Sequence, residues 1–139
     1  VAVVGEVRDR EALPLLLTLS SGVTGYTTIH AGSARQALTR LRFICQLADT
    51  SGGLPLAALN SLVSESIDVV VHCELVRGGR RRVVEILAPT GQVTSGVIEA
   101  SPIFTLEHGS LEHTGGYPSR TTKFAAAGLD PALVLGSRR

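Results

Sequence analysis

Several features that mark particular classes of protein are missing from this sequence. No apolar run approaches the roughly 20 residues that a membrane-spanning helix needs, and no signal peptide is visible. The net charge is only +1 and aromatic residues make up 4% of the chain, which disfavours phosphate-backbone binding and base stacking as the main task. We therefore expect a cytoplasmic protein that does not contact nucleic acid directly.

Cysteine and methionine are scarce or absent. The two cysteines, Cys45 and Cys73, have no metal-site spacing and form no disulfide framework, so both are predicted to be reduced, buried side chains. Methionine does not occur among the 139 residues, and the sequence opens at Val1 within a strand-like run. We interpret the chain as one domain from a longer protein whose N-terminal portion is missing.

The first eight residues carry the most informative pattern. An apolar run (1–4) ends in Gly5 and Glu6, which is typical of a buried strand of a parallel α/β sheet covered on both faces. A second short run ends in Thr28 and His30 after one predicted helix. Because ligands of such sheets lie outside the carboxyl ends of the strands, Glu6 and His30 are expected to face one site.

Three helices are predicted before residue 67. The first begins with Asp9 as its N-cap, and its buried face should comprise four leucines: Leu13, Leu16, Leu17 and Leu19. Ser33 and Gln36 form a capping box for the second helix, in which apolar residues recur at helical spacing (34, 37, 38, 41, 44 and 48). After a loop at 49–53, Pro55 is expected at the first position of the third helix.

From residue 67 onward the pattern changes to that of antiparallel strands. The runs 67–76 and 81–87 flank Gly78-Gly79, which is a strong hairpin signal. Further turns are predicted at 90–92 and at His108-Gly109, with Pro102 interrupting the strands between them. Residues 119–139 are predicted to form a weakly helical tail.

The ordered series of short motifs resembles the second half of a secretion ATPase. The segment 3–8 (Val-Val-Gly-Glu-Val-Arg), the segment 28–31 (Thr-Ile-His-Ala) and Arg40-Leu41 are similar to the type II/type IV secretion and type IV pilus ATPases. The branch most resembled powers tight-adherence pili. The resemblance covers roughly residues 1–118 and implies the C-terminal part of a RecA-like α/β domain, a mainly parallel sheet flanked by helices and followed by antiparallel hairpins.

The resemblance also implies roles for individual residues. Gly5 and Glu6 match the Walker B segment, where Glu6 would act through water on Mg²⁺ or polarise the attacking water. His30 matches the histidine box that approaches the γ-phosphate of ATP. Arg8 and Thr28 match positions in the same motifs and are given supporting, nucleotide-binding roles.

One essential part of an ATPase is absent from the sequence. A phosphate-cradling loop requires Gly-x-x-x-x-Gly-Lys-Ser/Thr, whereas the single lysine, Lys123, lies between Thr122 and Phe124. We therefore expect half a site, and no tight ATP binding or hydrolysis by this chain alone. In the intact protein the resemblance implies a homo-hexamer that couples ATP hydrolysis to protein export or pilus assembly. It would lie at the inner face of the cell membrane, on the platform proteins of the machine.

Two other functions remain open. The chain could be a non-catalytic, truncated paralogue that serves as an interaction module, or part of a conjugative DNA-transfer motor. The arginine cluster (Arg77, Arg80, Arg81 and Arg82) could touch nucleic acid, but a solvated hairpin tip or a subunit contact is the preferred interpretation. Three further histidines are predicted to be structural or solvated rather than metal ligands: His72, His108 and His113.

Overall fold

A computed structural model describes residues 1–49 and 52–136. The first half contains a two-stranded parallel sheet and three helices, in the chain order β1 (Ala2–Val4), α1 (Ala12–Ser20), β2 (Gly25–Thr27), α2 (Ala34–Ala48) and α3 (Leu56–Ser66). The second half contains a four-stranded antiparallel sheet and two short helices: β3 (Val70–Val76), β4 (Arg80–Thr94), β5 (Val97–Glu107), β6 (Ser110–His113), α4 (Thr122–Ala126) and α5 (Pro131–Leu135). The predicted α/β class, with a parallel sheet followed by antiparallel hairpins, is confirmed. Nowhere in the described residues is there a helix with the length and apolar character needed to cross a membrane.

Strand β1 is not covered on both faces, so that part of the prediction is wrong. Val3 is 73% exposed and its partner on β2, Tyr26, is 66% exposed. Only the opposite face, which includes Val4, packs against the hydrophobic core. The reason is that β1 has a single neighbouring strand in the described sheet, and no described element lies over the face that holds Val3 and Tyr26.

Helix α2 forms as its sequence predicts. The Ser33 hydroxyl accepts a hydrogen bond from the Gln36 backbone N–H at 3.1 Å, which satisfies one of the free N–H groups at the helix start. Five of the six predicted apolar positions are buried: Ala34, Ala37, Leu38, Leu41 and Ile44. Cys45 is buried as well, whereas Cys73 on β3 is exposed. The prediction of a buried thiol is therefore correct for Cys45 and wrong for Cys73.

Helix α1 begins two residues later than predicted, with Glu11 rather than Asp9 at the N-cap position. Asp9 does not cap it, because the Glu11 carboxylate accepts hydrogen bonds from the backbone N–H groups of Arg8 and Asp9 and closes a turn before the helix. Leu15 and Leu16 are buried, while Leu17 is 54% exposed. The predicted buried face is thus partly wrong. The spacing of the leucines does not determine how the helix is rotated about its axis, and that rotation decides which leucines face the core.

Helix α3 begins at Leu56, one residue later than predicted. Pro55 therefore occupies the N-cap position and not the first helical position. Leu59 and Val63 are buried against α1 and α2 in the main core. That core also includes Val7 beyond β1 and Leu87 and Ile98 of the antiparallel sheet. A single core therefore joins both sheets. Thr50 and Ser51 of the predicted loop lie outside the described residues.

The β3–β4 hairpin confirms the Gly-Gly signal. Gly78 and Gly79 have φ angles of +92° and +73°, and Gly79 N–H bonds to the Val76 carbonyl at 3.1 Å. Val76 pairs with Arg80, so the loop has three residues, Arg77 to Gly79, and the two glycines supply its positive φ angles. The predicted turn at His108-Gly109 is also confirmed. It is a two-residue loop between the paired Glu107 and Ser110, and its φ angles of +49° and +83° are those of a type I′ turn.

The predicted turn at 90–92 is wrong. Strand β4 continues through this segment with a shift of register between Pro89 and Val93, and the chain reverses at Ser95-Gly96 instead. Pro102 does not interrupt the strands either, because it lies within β5 at a second register shift. Its missing N–H is tolerated there, since β6 pairs only with residues 104–107 and leaves that edge of Pro102 free of ladder bonds.

The C-terminal segment is attached to the end of α3. The Arg120 guanidinium donates hydrogen bonds to the carbonyl oxygens of Glu65 and Ile67. It also pairs with the Asp68 carboxylate at 3.4 Å, which Lys123 contacts too. A cation at this position stabilises the negative end of the helix. Residues 137–139 of the predicted tail lie outside the described residues.

Candidate active site

The two strand ends that the sequence singled out lie side by side. Strands β1 and β2 are parallel, with Val4 opposite Thr27, so their carboxyl ends meet at one edge. Two hydrogen bonds continue this alignment beyond the strands. Val7 N–H bonds to the Thr28 carbonyl at 2.9 Å, and the Thr28 hydroxyl donates to the Gly5 carbonyl at 2.6 Å. Thr28 therefore holds the segment that carries Glu6 against the segment that carries His30.

Glu6 contacts both predicted partners. Its Oε1 lies 3.1 Å from His30 Nε2, and its Oε2 lies 2.5 Å from Arg8 Nη2. The Glu6 side chain is 23% exposed, whereas Arg8 and His30 are 74% and 84% exposed. The carboxylate thus sits at the base of a small open cluster, and the Arg8 and His30 side chains extend toward solvent. The structure brings together the three side chains that the sequence proposed for the strand ends.

The electrostatics of this cluster favour an ionised carboxylate. The hydrogen bond and charge of Arg8 lower the pKa of Glu6 below its ordinary value, and the charges of His30 and Arg40 act in the same direction. The same contact raises the pKa of Arg8. A carboxylate with a lowered pKa is a weak general base. Glu6 is instead suited to accept hydrogen bonds from water or from a metal-bound water.

Glu11 is a positioning residue that the sequence reasoning missed. Its carboxylate accepts from the backbone N–H of Arg8 at 2.6 Å and of Asp9 at 3.1 Å, and these N–H groups lower the pKa of Glu11. The turn that presents Arg8 to Glu6 is therefore fixed by Glu11. The signal that could have found it is the spacing of Glu11, two and three residues after Asp9 and Arg8, which lets its carboxylate reach back to their N–H groups.

The donor set around Glu6 does not suit direct binding of a metal ion. Both carboxylate oxygens are engaged by Arg8 and His30. Glu6 also belongs to no group of three converging metal-ligating side chains among the described residues. Magnesium keeps several waters when few protein oxygens are available. These residues fit a water-mediated contact from Glu6 better than direct coordination, and the role of Glu6 toward Mg²⁺ stays a prediction.

Gly5 leaves the approach to the cluster open. A Cβ placed on Gly5 would meet no described atom within 4 Å, and its φ is not in the left-handed region. The fold of the described residues therefore does not require glycine here. The space it leaves beside Glu6 is available to a ligand.

The other histidines have different surroundings. His113 Nε2 lies 2.8 Å from the Gly116 carbonyl oxygen, and its ring packs against Phe104 and Tyr117. His72 Nε2 lies 3.0 Å from Glu74 Oε1. His108 is exposed beside Glu107 and Glu112, and an exposed group of this kind forms without a metal. The four arginines of the hairpin cluster, Arg77, Arg80, Arg81 and Arg82, are exposed at and beside the β3–β4 turn.

About 60% of the chain is similar to known secretion proteins. The family model described as "Type II/IV secretion system protein" matches residues 1–85. A putative conjugal transfer protein of Mycobacterium tuberculosis is 39% identical over 85 residues, which are 60% of this chain and 23% of that protein. The type IV secretion system protein PtlH of Bordetella pertussis is 42% identical over 84 residues, 58% of this chain and 25% of that protein.

A third relative and a solved structure are also similar to this chain. The conjugal transfer protein TrbB of Rhizobium radiobacter is 39% identical over 57% of this chain and 23% of its own length. The crystal structure of the VirB11 ATPase from the Brucella suis type IV secretion system, solved with sulphate, matches with a TM-score of 0.55 and 28% identity. That match covers 60% of this chain and 26% of VirB11. The chain spans about a quarter of the length of these relatives.

Proposed function

The chain belongs to the type II/IV secretion system protein family, and on this basis we propose that residues 1–118 are part of an ATPase domain that powers secretion. The observation that carries the proposal is the contact between Glu6 and His30 at 3.1 Å, at the joined ends of two parallel strands. Two of the similar proteins are named as a type IV secretion system protein and a conjugal transfer protein, which supports secretion as the general function.

We assign Glu6 to the Walker B position and His30 to the histidine box. ATP with Mg²⁺ would supply the phosphoryl group to be transferred. Glu6, held ionised by Arg8, would orient a water molecule or a water bound to Mg²⁺. His30 is 84% exposed beside that carboxylate and can donate to a phosphate oxygen or accept from water. Thr28 and Gly5 keep the two strand ends aligned and the approach open.

The activity is proposed for the whole protein. This sequence contains no Gly-x-x-x-x-Gly-Lys-Ser/Thr loop, so these residues alone are not expected to bind ATP tightly or hydrolyse it. We further propose that the intact protein is a homo-hexamer that acts on platform proteins at the inner face of the membrane, in export or pilus assembly. Residues 119–136 form a tail that hydrogen bonds from Arg120 attach to the end of α3.

The experiment that tests this function is the Glu6→Gln substitution in the intact protein. Turnover of ATP should fall by roughly 100-fold or more, because the amide cannot orient water as a carboxylate does, while binding of a fluorescent ATP analogue is retained. Glu112→Gln, which removes an exposed carboxylate from β6, is the matched control and should hydrolyse ATP normally. Hydrolysis by Glu6→Gln at the rate of the unmodified protein would refute the assignment.

A conjugative DNA-transfer motor is the second candidate, because two of the similar proteins are named for conjugal transfer. The exposed arginine cluster of the β3–β4 hairpin is the surface that could meet DNA. Stimulation of the ATPase by DNA, abolished by replacing these arginines, would favour this motor over a protein exporter. An intact protein that never hydrolyses ATP would instead favour the non-catalytic interaction module.

A further inference from the structure

Strand β3 lies at the end of the four-stranded antiparallel sheet, so among the described residues β4 is its only neighbouring strand. All seven residues of β3 pair with β4, and the extra residue of the irregularity, Val84, belongs to β4. The strand at the other end of the sheet, β6, has only four residues. Short length, proline and lysine protect edge strands from pairing with other chains. Because β3 is longer and contains neither residue, its outer side can accept a further strand.

The side chains of β3 divide into two rows. Val71 is 53% exposed and Leu75 is 69% exposed, and Cys73 between them is exposed as well. These three lie on one face, because side chains alternate along a strand. The other face carries His72 and Glu74, whose Nε2 and Oε1 atoms lie 3.0 Å apart. One face of β3 therefore presents an exposed apolar row, and the other presents a histidine beside a carboxylate.

The sequence of β3, Val-Val-His-Cys-Glu-Leu-Val, is complementary to itself in the antiparallel direction. When two β3 strands pair with Cys73 at the centre, Val71 lies opposite Leu75 of the second copy. The same register places His72 opposite Glu74. Directly opposite side chains are close enough for apolar packing and for hydrogen bonds between a histidine and a carboxylate. Each contact forms twice, because the arrangement is two-fold symmetric.

We propose that two copies of this chain pair through β3 in this register and join their antiparallel sheets into one. A second copy is the occupant that this strand fits best, since each cross-strand position then holds a matched residue. The antiparallel arrangement also directs the two arginine-rich β3–β4 turns away from each other, which limits repulsion between them.

This contact differs from the ring contact of the proposed homo-hexamer. A two-fold contact joins copies in pairs, so it does not close a six-membered ring and would join two rings instead. The pairing therefore does not depend on ATP hydrolysis, and either proposal can fail while the other holds.

Size-exclusion chromatography with light scattering of the 139-residue chain, in reducing buffer at several concentrations, tests the pairing. The mass should rise from 14.5 kDa toward twice that value, because a single strand pair is a small interface that separates on dilution. Leu75→Lys should raise the dimer Kd by about tenfold or more, since it removes two apolar contacts and adds two cations at the edge. Val97→Lys, at the start of β5 and 58% exposed, is the matched control and should leave the Kd within about twofold.

Oxidative cross-linking tests the register. Two opposite Cys73 residues have Cα atoms about 4.5 or 5.5 Å apart, within the range of roughly 4.4–6.8 Å that a disulfide needs. Cys45 is buried, and burial raises its pKa to about 11, so it should not react. Mild oxidation with copper-phenanthroline should therefore give a covalent dimer of the unmodified chain. Cys73→Ser should form no covalent dimer but should still form the non-covalent one.

Four results would overturn the proposal. A mass of 14.5 kDa at every concentration would show that β3 does not pair. An unchanged Kd for Leu75→Lys would place the contact on another surface. A dimer that does not cross-link at Cys73 would exclude this register. Failure of the intact protein to cross-link at Cys73 would show that another of its segments pairs with β3.

Discussion

The parallel pair β1–β2 and the four-stranded antiparallel sheet differ in how their strands are held in register. In the antiparallel sheet, neighbours in sequence are neighbours in space, and tight turns at 77–79, 95–96 and 108–109 join them. The strands of the parallel pair have three residues each and are separated by α1. Their alignment depends on the bonds between Thr28 and the segment 5–7 and on the core beneath Val4. The candidate active site therefore lies on the region that local sequence determines least.

The substitution with the largest expected effect on stability is Leu16→Ala in α1. Leu16 is fully buried in the core that joins both sheets, so its truncation should lower the free energy of unfolding by about 2–5 kcal/mol. Leu17→Ala, one residue along and 54% exposed, should cost well under half as much. Urea denaturation monitored by circular dichroism measures both. If both substitutions lowered the free energy of unfolding equally, the core around Leu16 would not be what supports the parallel pair.

A glycine comparison probes the two regions directly. Gly79→Ala forces a side chain into a φ of +73° at the β3–β4 turn and should cost about 1–2 kcal/mol. Gly5→Ala, beside Glu6, meets no described atom within 4 Å and needs no left-handed φ, so stability should change by less than about 1 kcal/mol. The same denaturation assay applies. A larger loss for Gly5→Ala would mean that the strand end is tightly packed rather than open.

The smallest expected effect is on the pH dependence of stability. The pKa values of Glu6 and Glu11 are lowered in the folded chain, by Arg8 and by backbone N–H groups respectively. Both carboxylates therefore stabilise the fold above the ordinary glutamate value of 4.5, and this contribution is lost as pH falls through the lowered values.

Urea titrations of the unmodified chain and of a Glu6→Gln, Glu11→Gln double variant measure this effect. The double variant should lose less stability between neutral pH and about pH 3 than the unmodified chain. If the two proteins lost the same stability over this pH range, neither carboxylate would be stabilised in its ionised form by its partners in the folded chain.

Some parts of this structure could be predicted because the determining interactions are local. The Ser33 cap of α2 and the Gly78-Gly79 turn each depend on a few adjacent residues, and both formed as expected. The meeting of Glu6 and His30 was also predictable, because parallel strands bring their carboxyl ends to one edge.

Other parts depend on contacts that spacing does not encode. The exposure of Val3 and Tyr26 depends on which elements flank the pair, and the exposure of Leu17 depends on how α1 is rotated on the core. The continuous path of β4 through 90–92 depends on pairing with β5. Residue patterns set preferences, and these tertiary contacts decide between them.

The most direct test of the central claim is a double-mutant cycle on ATP turnover in the intact protein, with Glu6→Gln, His30→Asn and the two combined. If both side chains act as one unit, the double variant should be no slower than the slower single variant. Losses that multiply, with the double variant slower by the product of the two single effects, would show that Glu6 and His30 act independently and would contradict the shared site.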